Sequence, residues 1–502
     1  MKKNTSLTIL LFVSLFLNSC KKDFFDVNES ANNPTDVPVK LLLPAALIGV
    51  GFTNGEDMSR AGETLIQHNV GIGTQVGRYD VFDLGLLSDG IWSPLWNNIT
   101  NANAILDKTD ITREKTTENS PKYSGIAKLI IALDYSYLTD MWGDIPYTQG
   151  GKGLEFPQPA LDKQEDIYQG NDGLKIESLF SLIDKGIADL KAGGGVFSPG
   201  TDDIVYKGDA EKWIRMGYSL KLKLANTISV VNPALAKTMT ENVISSNTYI
   251  NASNLDFEVP FGSGTGNQNP LYTFNYVNRQ GDQLLSSRFV AFMYARNDTV
   301  RLAKLYTKPK GVFVSRTNGG NESIATQPSG VLTVVTNARS QYNTYFIGAL
   351  GEAPIRILTS FQANFDLAEA VVRLGVTVPG KTANNLFQDA IKTHMTKIGM
   401  TATEVNTYFT DNPTIVTLSG SNENQIKQIA EQKYIAWTGN GAESFNNYRR
   451  TGYPELQLPL NTGGDNPNVI PKRFPYGNNE ISRNPNIPNP RPQTDAKIWW
   501  GK

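Results

Sequence analysis

The sequence contains very few cysteine and histidine residues. Among 502 residues there is one cysteine, Cys20, and there are two histidines, His68 and His394. A single cysteine excludes an internal disulfide framework and a CxxC metal site. Two histidines this far apart leave little material for zinc binding or histidine-based catalysis. Because HExxH, GxSxG and CxxC motifs are also missing from the sequence, we expect no catalytic residues, no metal and no cofactor.

Neither sign of charge is in excess. The chain has 47 basic and 48 acidic residues, which gives a formal net charge of −1. Nucleic-acid binding needs clustered lysine and arginine, so the balance argues against a nucleic-acid partner. It also argues against attachment to a membrane surface through a basic patch. Any membrane attachment is therefore expected to come from a lipid.

The apolar run near the N-terminus, residues 7–17, is too short to span a bilayer. As a helix it reaches roughly 16 Å, against about 30 Å of hydrocarbon. Lys2 and Lys3 precede it and the sequence LNSC, ending at Cys20, follows it. This pattern predicts a signal peptide over residues 1–19. LNSC looks like a bacterial lipobox, so we expect Cys20 to be acylated; the alternative is an ordinary signal peptide beside an unrelated cysteine.

Apolar residues recur at helical spacing along most of the chain. Tyr123, Ile126 and Ile130 share one face in the clearest example, and 40% hydrophobic residues suffice for a large core. The spacing predicts helices over residues 57–72, 91–106, 123–141, 172–191, 210–228, 282–295, 358–373, 383–398, 401–409, 423–437 and 442–449. Residues 73–89 break the pattern and are predicted to form a loop that carries aromatic side chains. Two-helix units follow one another, as in a helical repeat array, without a fixed sequence period.

Composition divides the chain into regions. Residues 248–357 lose helical periodicity, and turn residues and short β-branched or aromatic runs take its place. The predicted division is a lipidated tether at 20–40 and one domain at 41–502, in which the helical frame covers about 41–247 and 358–453, an irregular insertion covers about 248–357, and an extended tail covers 454–502. The fold class is therefore mainly α, with a large irregular insertion of loops and short strands.

Residues 375–382 match the spacing of a Walker A motif. A working phosphate loop needs a strand before it and free backbone amides within it. Here a predicted helix comes first, so Gly375 is better interpreted as a helix C-terminal cap. Pro379 removes one amide donor. We therefore expect no nucleotide site.

Aromatic residues are the informative enrichment, with 20 tyrosines, 22 phenylalanines and 7 tryptophans. Exposed rings next to amide side chains suit a sugar or a peptide, because ring faces stack on apolar C–H surfaces while amides and arginine hydrogen-bond polar groups. The candidates in polar, glycine- or asparagine-rich segments are Tyr79, Phe82, Trp92, Tyr272, Tyr276, Tyr342 and Tyr345. The alternative for each of them is packing in the core.

The chain resembles the SusD/RagB family of outer-membrane nutrient-binding lipoproteins. The residues that carry the resemblance are spread along the whole sequence. They are 140–147 (DMWGDIPY), 210–213 (AEKW), 367–370 (LAEA), 432–436 (QKYIA), 443–454 (ESFNNYRRTGYP), 470–476 (IPKRFPY), Glu480 and 497–500 (KIWW). The resemblance implies helices paired as in tetratricopeptide repeats, and it implies that Glu369, Arg449 and Arg450 hold helices together.

The resemblance also implies a function and a partner. It implies a lipoprotein of the outer membrane, facing the exterior, that binds oligosaccharide or peptide nutrients and passes them without cleavage to a SusC-like TonB-dependent β-barrel transporter. Residues 23–26 (DFFD) resemble the export signals of such surface lipoproteins. One alternative is a lipid-anchored glycoside hydrolase or other polysaccharide-processing enzyme, because paired carboxylates cannot be selected by spacing. Another is a structural or adhesion lipoprotein.

Overall fold

The computed structural model describes residues 37–502, apart from residues 86, 115, 322, 327–331 and 335–338. The predicted signal peptide, Cys20 and nearly all of the predicted tether lie outside the described residues.

Helices dominate the N-terminal half. They are α1 (Val39–Gly55), α2 (Asp57–Leu65), α3 (Thr74–Asp80), α4 (Leu87–Thr109), α5 (Pro121–Trp142), α6 (Gln164–Gln169), α7 (Leu179–Ala192), α8 (Ala210–Ile228) and α9 (Pro233–Ser246). Helix α5 packs against α4 and α7, α7 packs against α8, and α8 packs against α9. Because α5 is buried on almost every side along most of its length, it is the centre of this half.

The C-terminal half continues the array of packed helices. Its helices are α14 (Ser360–Leu374), α15 (Ala383–Lys397), α16 (Ala402–Asp411), α17 (Asn422–Ala436), α18 (Gly441–Thr451) and the short α19 (Asn478–Arg483). Helix α14 packs on α15, α17 and α8, and α18 returns to pack on α2. That contact needs glycine on both sides: a Cβ at Gly62 would lie 2.2 Å from the Gly441 carbonyl oxygen, and one at Gly441 would lie 2.0 Å from the Ser59 carbonyl oxygen.

Between the two halves lies the irregular part of the chain. It contains α10 (Pro270–Tyr272), a π-helix (Thr273–Asn278), α11 (Ser287–Tyr294), α12 (Thr299–Leu305) and α13 (Thr344–Ile347). Its strands are β2 (Phe257–Val259), β3 (Gln283–Leu285), β4 (Phe313–Arg316), β5 (Ser323–Thr326), β6 (Leu332–Val334) and β7 (Ile355–Leu358).

The strand pairs attach this region to the helical frame. Strand β1 (Asn69–Gly71) pairs antiparallel with β3, with Val70 opposite Leu284. Strand β2 pairs antiparallel with β7, so the two ends of the region lie together. Strands β4, β5 and β6 form a separate antiparallel sheet. The prediction of a mainly α protein with tetratricopeptide-like paired helices and an irregular, short-stranded region is confirmed.

Local predictions near residue 70 are wrong. The helix predicted over 57–72 ends at Leu65, and residues 69–71 form β1. The predicted loop at 73–89 contains α3. The cause is tertiary, because β1 exists through its pairing with β3, more than 200 residues later in the chain.

The Walker-like segment and the predicted structural residues behave as expected. Gly375 caps α14 with a φ of +64°, and Lys381 pairs with Asp389. Arg450 donates two hydrogen bonds to Glu369, the longer at 2.7 Å. The implied role of Glu369 and Arg450 in holding α14 to α18 is therefore supported by their direct contact.

Candidate ligand-binding surface

Two of the predicted aromatic residues, Tyr272 and Tyr276, lie together on the irregular region. Their ring centroids are 5.7 Å apart and their planes differ by 6°. Tyr272 ends α10, and Tyr276 lies in the π-helix that follows. π-helical turns are rare and are frequent at functional sites. Both rings are half-buried, so the stacked pair still presents surface to a ligand.

Buried asparagines hold this segment in place. Asn269 caps α10 by accepting from the Leu271 N–H at 2.7 Å. Its amide nitrogen donates to the carbonyl oxygens of Phe346 at 3.0 Å and Ala353 at 2.7 Å. Asn275 donates to the Leu271 carbonyl oxygen at 3.0 Å. The two tyrosines therefore stand on a backbone whose polar groups are satisfied from inside.

Close packing supports the outer side of the pair. Gly351 has a φ of +98°, and a Cβ there would lie 2.9 Å from Cδ1 of Tyr272 and 2.8 Å from Cβ of Gln268. On the inner side, Phe274 lies under the guanidinium of Arg60, 4.1 Å from ring centroid to Cζ. The packing at Gly351 leaves Tyr272 little freedom to rotate, and the Arg60 contact holds Phe274 within the π-helix.

The hydroxyl of Tyr276 is also fixed. It donates to the carbonyl oxygen of Tyr342 at 2.6 Å. Burial, and to a smaller extent the neighbouring Tyr272, raises the pKa of Tyr276 to about 12. The phenol is therefore neutral at physiological pH, and its hydrogen bond orients the ring.

Polar side chains follow the stacked pair along the chain or bond to the backbone next to it. Asn278, Arg279 and Gln280 are exposed, and Gln280 donates to the Tyr276 carbonyl oxygen at 2.7 Å. Arg339 donates to the Gly281 carbonyl oxygen at 3.0 Å. Each of these bonds uses only part of the donor capacity of the amide or guanidinium. The surface therefore combines ring faces with amide and guanidinium donors, which suits a ligand rich in hydroxyl or carbonyl oxygens.

Sequence reasoning missed the polar members of this surface. Gln280, Arg339 and Gln341 are not aromatic and were not selected. Gln341 donates to the Asn275 carbonyl oxygen at 3.2 Å, 66 residues away in sequence. The run of polar residues directly after the aromatic segment 272–276 was the available signal for Gln280. For Arg339 and Gln341 the sequence offers no local signal.

Tyr342 and Tyr345 differ in their exposure, and only Tyr342 contacts the pair, through its carbonyl oxygen. Tyr342 is 3% exposed, stacks with Tyr306 at 5.5 Å, and donates its hydroxyl to Glu63 at 3.0 Å. Tyr345 is half-buried, and the guanidinium of Arg356 lies 3.8 Å from its ring centroid. Tyr345 therefore retains some exposed surface, whereas Tyr342 belongs to the core.

Tyr79, Phe82 and Trp92 are core residues, like Tyr342. They are 1%, 2% and 4% exposed. Tyr79 lies in α3 rather than in a loop, and the Trp92 ring packs edge-on against Trp142 at 5.0 Å. The expectation that these four rings are exposed is wrong, because the folded chain buries each of them, as in the alternative of packing in the core.

Two further properties concern metals and membranes. Within residues 37–502 and outside the gaps named above, no three His, Cys, Asp or Glu side chains are grouped so that they hold a metal ion. In the same part of the chain, no helix combines the length and apolar character needed to cross a bilayer.

The fold and the surface together define a class of protein. It is a tetratricopeptide-like helical protein that carries an aromatic, amide-rich surface on an irregular insertion. Residues 31–477 match the model of the SusD-like family that is described as starch-binding and associating with the outer membrane. The chain therefore belongs to the SusD-like family. No curated protein matches the chain.

Solved structures share this fold along nearly the whole chain. A chitin-binding SusD homologue from Flavobacterium johnsoniae has a TM-score of 0.72 and 20% identity, with 92% of this chain and 98% of that chain covered. A SusD homologue from Bacteroides fragilis has a TM-score of 0.73, 19% identity, and coverage of 92% and 100%. A SusD/RagB family protein from Bacteroides thetaiotaomicron has a TM-score of 0.72, 20% identity, and coverage of 93% and 100%.

Proposed function

We propose that this protein is a surface-exposed outer-membrane lipoprotein that binds oligosaccharide or peptide nutrients and delivers them to a SusC-like TonB-dependent transporter without cleaving them. The observation that carries the proposal is the stacked pair Tyr272–Tyr276 within an amide and guanidinium rim, in a chain that belongs to a family described as starch-binding. The chitin-binding relative supports a carbohydrate as the first ligand class to test.

The surface recognises a sugar through two kinds of contact. The C–H face of a pyranose packs on the open side of a tyrosine ring, which removes apolar surface from water. Gln280, Arg339 and Gln341 donate hydrogen bonds to the hydroxyl and N-acetyl oxygens around the ring edge. Because the tyrosines are held by packing and by the Tyr276 hydroxyl bond, little side-chain entropy is lost on binding.

Substitution of the stacked tyrosines tests the binding surface. We expect Tyr272→Ala and Tyr276→Ala to weaken binding of chito- or malto-oligosaccharides to the purified mature protein by about tenfold each, measured by calorimetry. Tyr345→Ala belongs in the same series as a peripheral member. Tyr218→Ala is the matched control, because Tyr218 is a half-buried tyrosine on α8. Parental affinity in both Tyr272→Ala and Tyr276→Ala would overturn the assignment.

The anchor and its orientation need a test in cells. With Cys20→Ser we expect the protein to leave the membrane fraction, because acylation needs the thiol. Replacing residues 21–26 by alanine tests the proposed surface-export signal through protease accessibility on intact cells. If the Cys20→Ser protein remains in the membrane fraction, Cys20 is not the lipid anchor. If the protein stays accessible to protease after residues 21–26 are replaced, these residues are not the surface-export signal.

The partner and the absence of cleavage have separate readouts. Delivery to a transporter predicts that the native protein co-purifies with a β-barrel receptor after mild detergent extraction. Binding without catalysis predicts that the oligosaccharide is recovered at its original length after long incubation with the purified protein. If the oligosaccharide is shortened and one carboxylate substitution stops the reaction, the protein is a glycoside hydrolase instead.

A further inference from the structure

A second concave site lies outside the stacked tyrosine pair. It is a cleft of about 690 Å³ between α11 and residues 454–460, a stretch of the C-terminal tail that we name the strap. The residues that matter for its chemistry are Arg288, Val290, Phe292, Tyr294, Leu456 and Leu460. None of the residues around Tyr272 and Tyr276 lines it. Its volume lies in the range of small-ligand pockets, about 300–1,000 Å³.

The strap is fastened along its length, so the cleft has two defined walls. The Arg288 guanidinium donates to the carbonyl oxygens of Gln457 at 2.7 Å and Leu458 at 2.6 Å. The Gln67 amide donates to the same Gln457 oxygen. The Leu460 N–H donates to the Asn318 carbonyl oxygen at 2.9 Å. These hydrogen bonds therefore fix the strap relative to α11 and to the segments that carry Gln67 and Asn318.

Most of the polar side chains in the lining are already engaged in hydrogen bonds or an ion pair. Arg288 and Gln67 are committed to strap carbonyls, and the hydroxyls of Ser287 and Thr317 bond each other at 2.8 Å. Glu455 pairs with Lys427 at 2.9 Å. A hydroxyl-rich sugar would therefore meet mainly side chains that are already engaged, and each of its hydroxyls that stayed unpaired there would cost free energy.

What remains in the lining is apolar and aromatic. The Phe292 ring is braced by the Arg296 guanidinium, 3.4 Å from its centroid, and by Tyr434 edge-on at 5.2 Å. Tyr294 is half-buried beside it, and Leu460 is 66% exposed on the strap. Apolar side chains of a ligand would cover Phe292, Val290 and the strap leucines, and burial of apolar area would supply the affinity.

The strap also has free backbone donors. Among the residues that the structure describes, the N–H groups of Leu456 and Gln457, two residues of the cleft lining, have no hydrogen-bond acceptor. An extended peptide offers carbonyl oxygens to such donors and alternating side chains to a neighbouring pocket. We propose that this cleft is a second binding site, which takes a short, uncharged peptide with apolar side chains.

The test uses the purified mature protein and a blocked peptide, Ac-Ala-Leu-Phe-Ala-NH2, titrated by calorimetry. Ala291 is exposed and lines the cleft, so Ala291→Trp fills it. We expect this change to weaken peptide binding at least about tenfold. Ala234→Trp, at an exposed alanine on α9, is the matched control and leaves binding unchanged. Tyr276→Ala is titrated in parallel, because loss of peptide binding in that variant would place the peptide on the stacked tyrosine pair instead.

Each outcome decides the proposal. Chitotetraose and maltotetraose serve as competitors. We expect that neither sugar displaces the peptide, because the cleft selects apolar side chains. Failure of the peptide to bind at millimolar concentration, or loss of its binding in Tyr276→Ala but not in Ala291→Trp, overturns the inference. If a tetrasaccharide binds the parent protein and Ala291→Trp abolishes that binding, the cleft is a sugar site and the proposed peptide ligand is wrong. These results are independent of the fate of oligosaccharide binding at Tyr272 and Tyr276.

Discussion

Glu369 is a fully buried carboxylate whose charge two arginines balance. Arg450 donates to both of its oxygens, and Arg373 donates to one of them at 3.0 Å. Burial raises the pKa of Glu369, but the charge and hydrogen bonds of Arg450, together with Arg373, outweigh burial and hold the pKa well below its usual range. The ionised form is therefore the one that the folded protein stabilises.

We expect Glu369→Gln to lower the free energy of unfolding at pH 7 by about 3–5 kcal/mol, because it leaves a buried arginine without its counter-charge. Because the pKa of Glu369 is lower in the folded protein than in the unfolded chain, ionised Glu369 stabilises the fold fully above the unfolded pKa of 4.5. This stabilisation is lost as the pH falls from 4.5 toward the folded-state pKa. Urea unfolding at pH 7 measures the change. Glu241→Gln, at an exposed carboxylate 3.9 Å from Lys237, is the control and should cost less than about 0.5 kcal/mol.

Asp134 presents the opposite case. It is fully buried, and Asn98 donates to it at 2.6 Å. Burial raises its pKa to about 8, against a smaller lowering by the Asn98 hydrogen bond. Asp134 is therefore protonated in the folded protein at pH 7 and ionised in the unfolded chain.

We expect Asp134→Asn to become progressively more stabilising, relative to the parent, as the pH rises from 5 to 8. A raised folded-state pKa contributes stability that is full below about 4 and declines as the pH rises to about 8. Asp134 binds one proton more in the folded protein than in the unfolded chain over this range. The unfolding free energy of the variant, minus that of the parent, should therefore grow by about 1.4 kcal/mol per pH unit. A difference that stays constant with pH would contradict it. Asp389→Asn, at an exposed pair with Lys381, is the control.

At the scale of the elements, the strap is the segment with the most unusual support. It has no regular secondary structure and is held by side chains and loops from other parts of the chain. Directly after the strap, the Asn461 amide donates to the Gly319 carbonyl oxygen at 2.7 Å, and the Gly463 N–H donates to the Val81 carbonyl oxygen at 2.6 Å. Its order therefore depends on contacts that form only in the folded protein.

We expect Arg288→Ala to increase amide hydrogen exchange at Leu460 and Gly463, the hydrogen-bonded amides next to this contact, because two carbonyl anchors of the strap are lost. The unfolding midpoint in urea should change little, since Arg288 is only partly buried. Arg296→Ala is a matched control on the same side of the molecule: Arg296 pairs with Glu431 at 2.6 Å and makes no hydrogen bond to the strap. Unchanged exchange in Arg288→Ala would show that the remaining contacts suffice.

At the scale of the whole molecule, the C-terminus closes the fold onto its central helix. Asp140, near the end of α5, accepts hydrogen bonds from the Trp500 indole at 2.9 Å, the Tyr168 hydroxyl at 2.6 Å and the Asn446 amide at 2.9 Å. Trp500 is 1% exposed. Residues from α5, α6, α18 and the chain end therefore meet around one buried carboxylate.

We expect Trp500→Ala to lower the free energy of unfolding by about 3–5 kcal/mol, because it leaves a large cavity and removes a donor from buried Asp140. Urea unfolding monitored by circular dichroism measures the loss. Lys497→Ala, at an exposed position in the same terminal segment, should stay within about 0.5 kcal/mol of the parent. Equal, small effects for both would show that the chain end contributes little to the fold.

Sequence reasoning succeeded where one residue pattern repeats over many turns. The stripe through Tyr123, Ile126 and Ile130 predicted α5. Apolar residues that recur every three or four positions share one buried face in a helix but not in a strand. It failed at β1 and α3, where pairing with residues 283–285 decides the structure. It also failed for the rings of Tyr79, Phe82, Trp92 and Tyr342, because polar neighbours in sequence do not determine whether a ring faces water.

The sequence by itself determined the helical class, the charge balance, and the family resemblance that the comparison of residues 31–477 confirms. These properties depend on composition, local periodicity and motifs, which are all readable along the chain. Only the tertiary structure decided which aromatic rings reach the surface, which polar residues join Tyr272 and Tyr276, and where the strap encloses a cleft. Those features arise from contacts between residues far apart in sequence. Such contacts form, and stabilise the structure, only once the chain has folded.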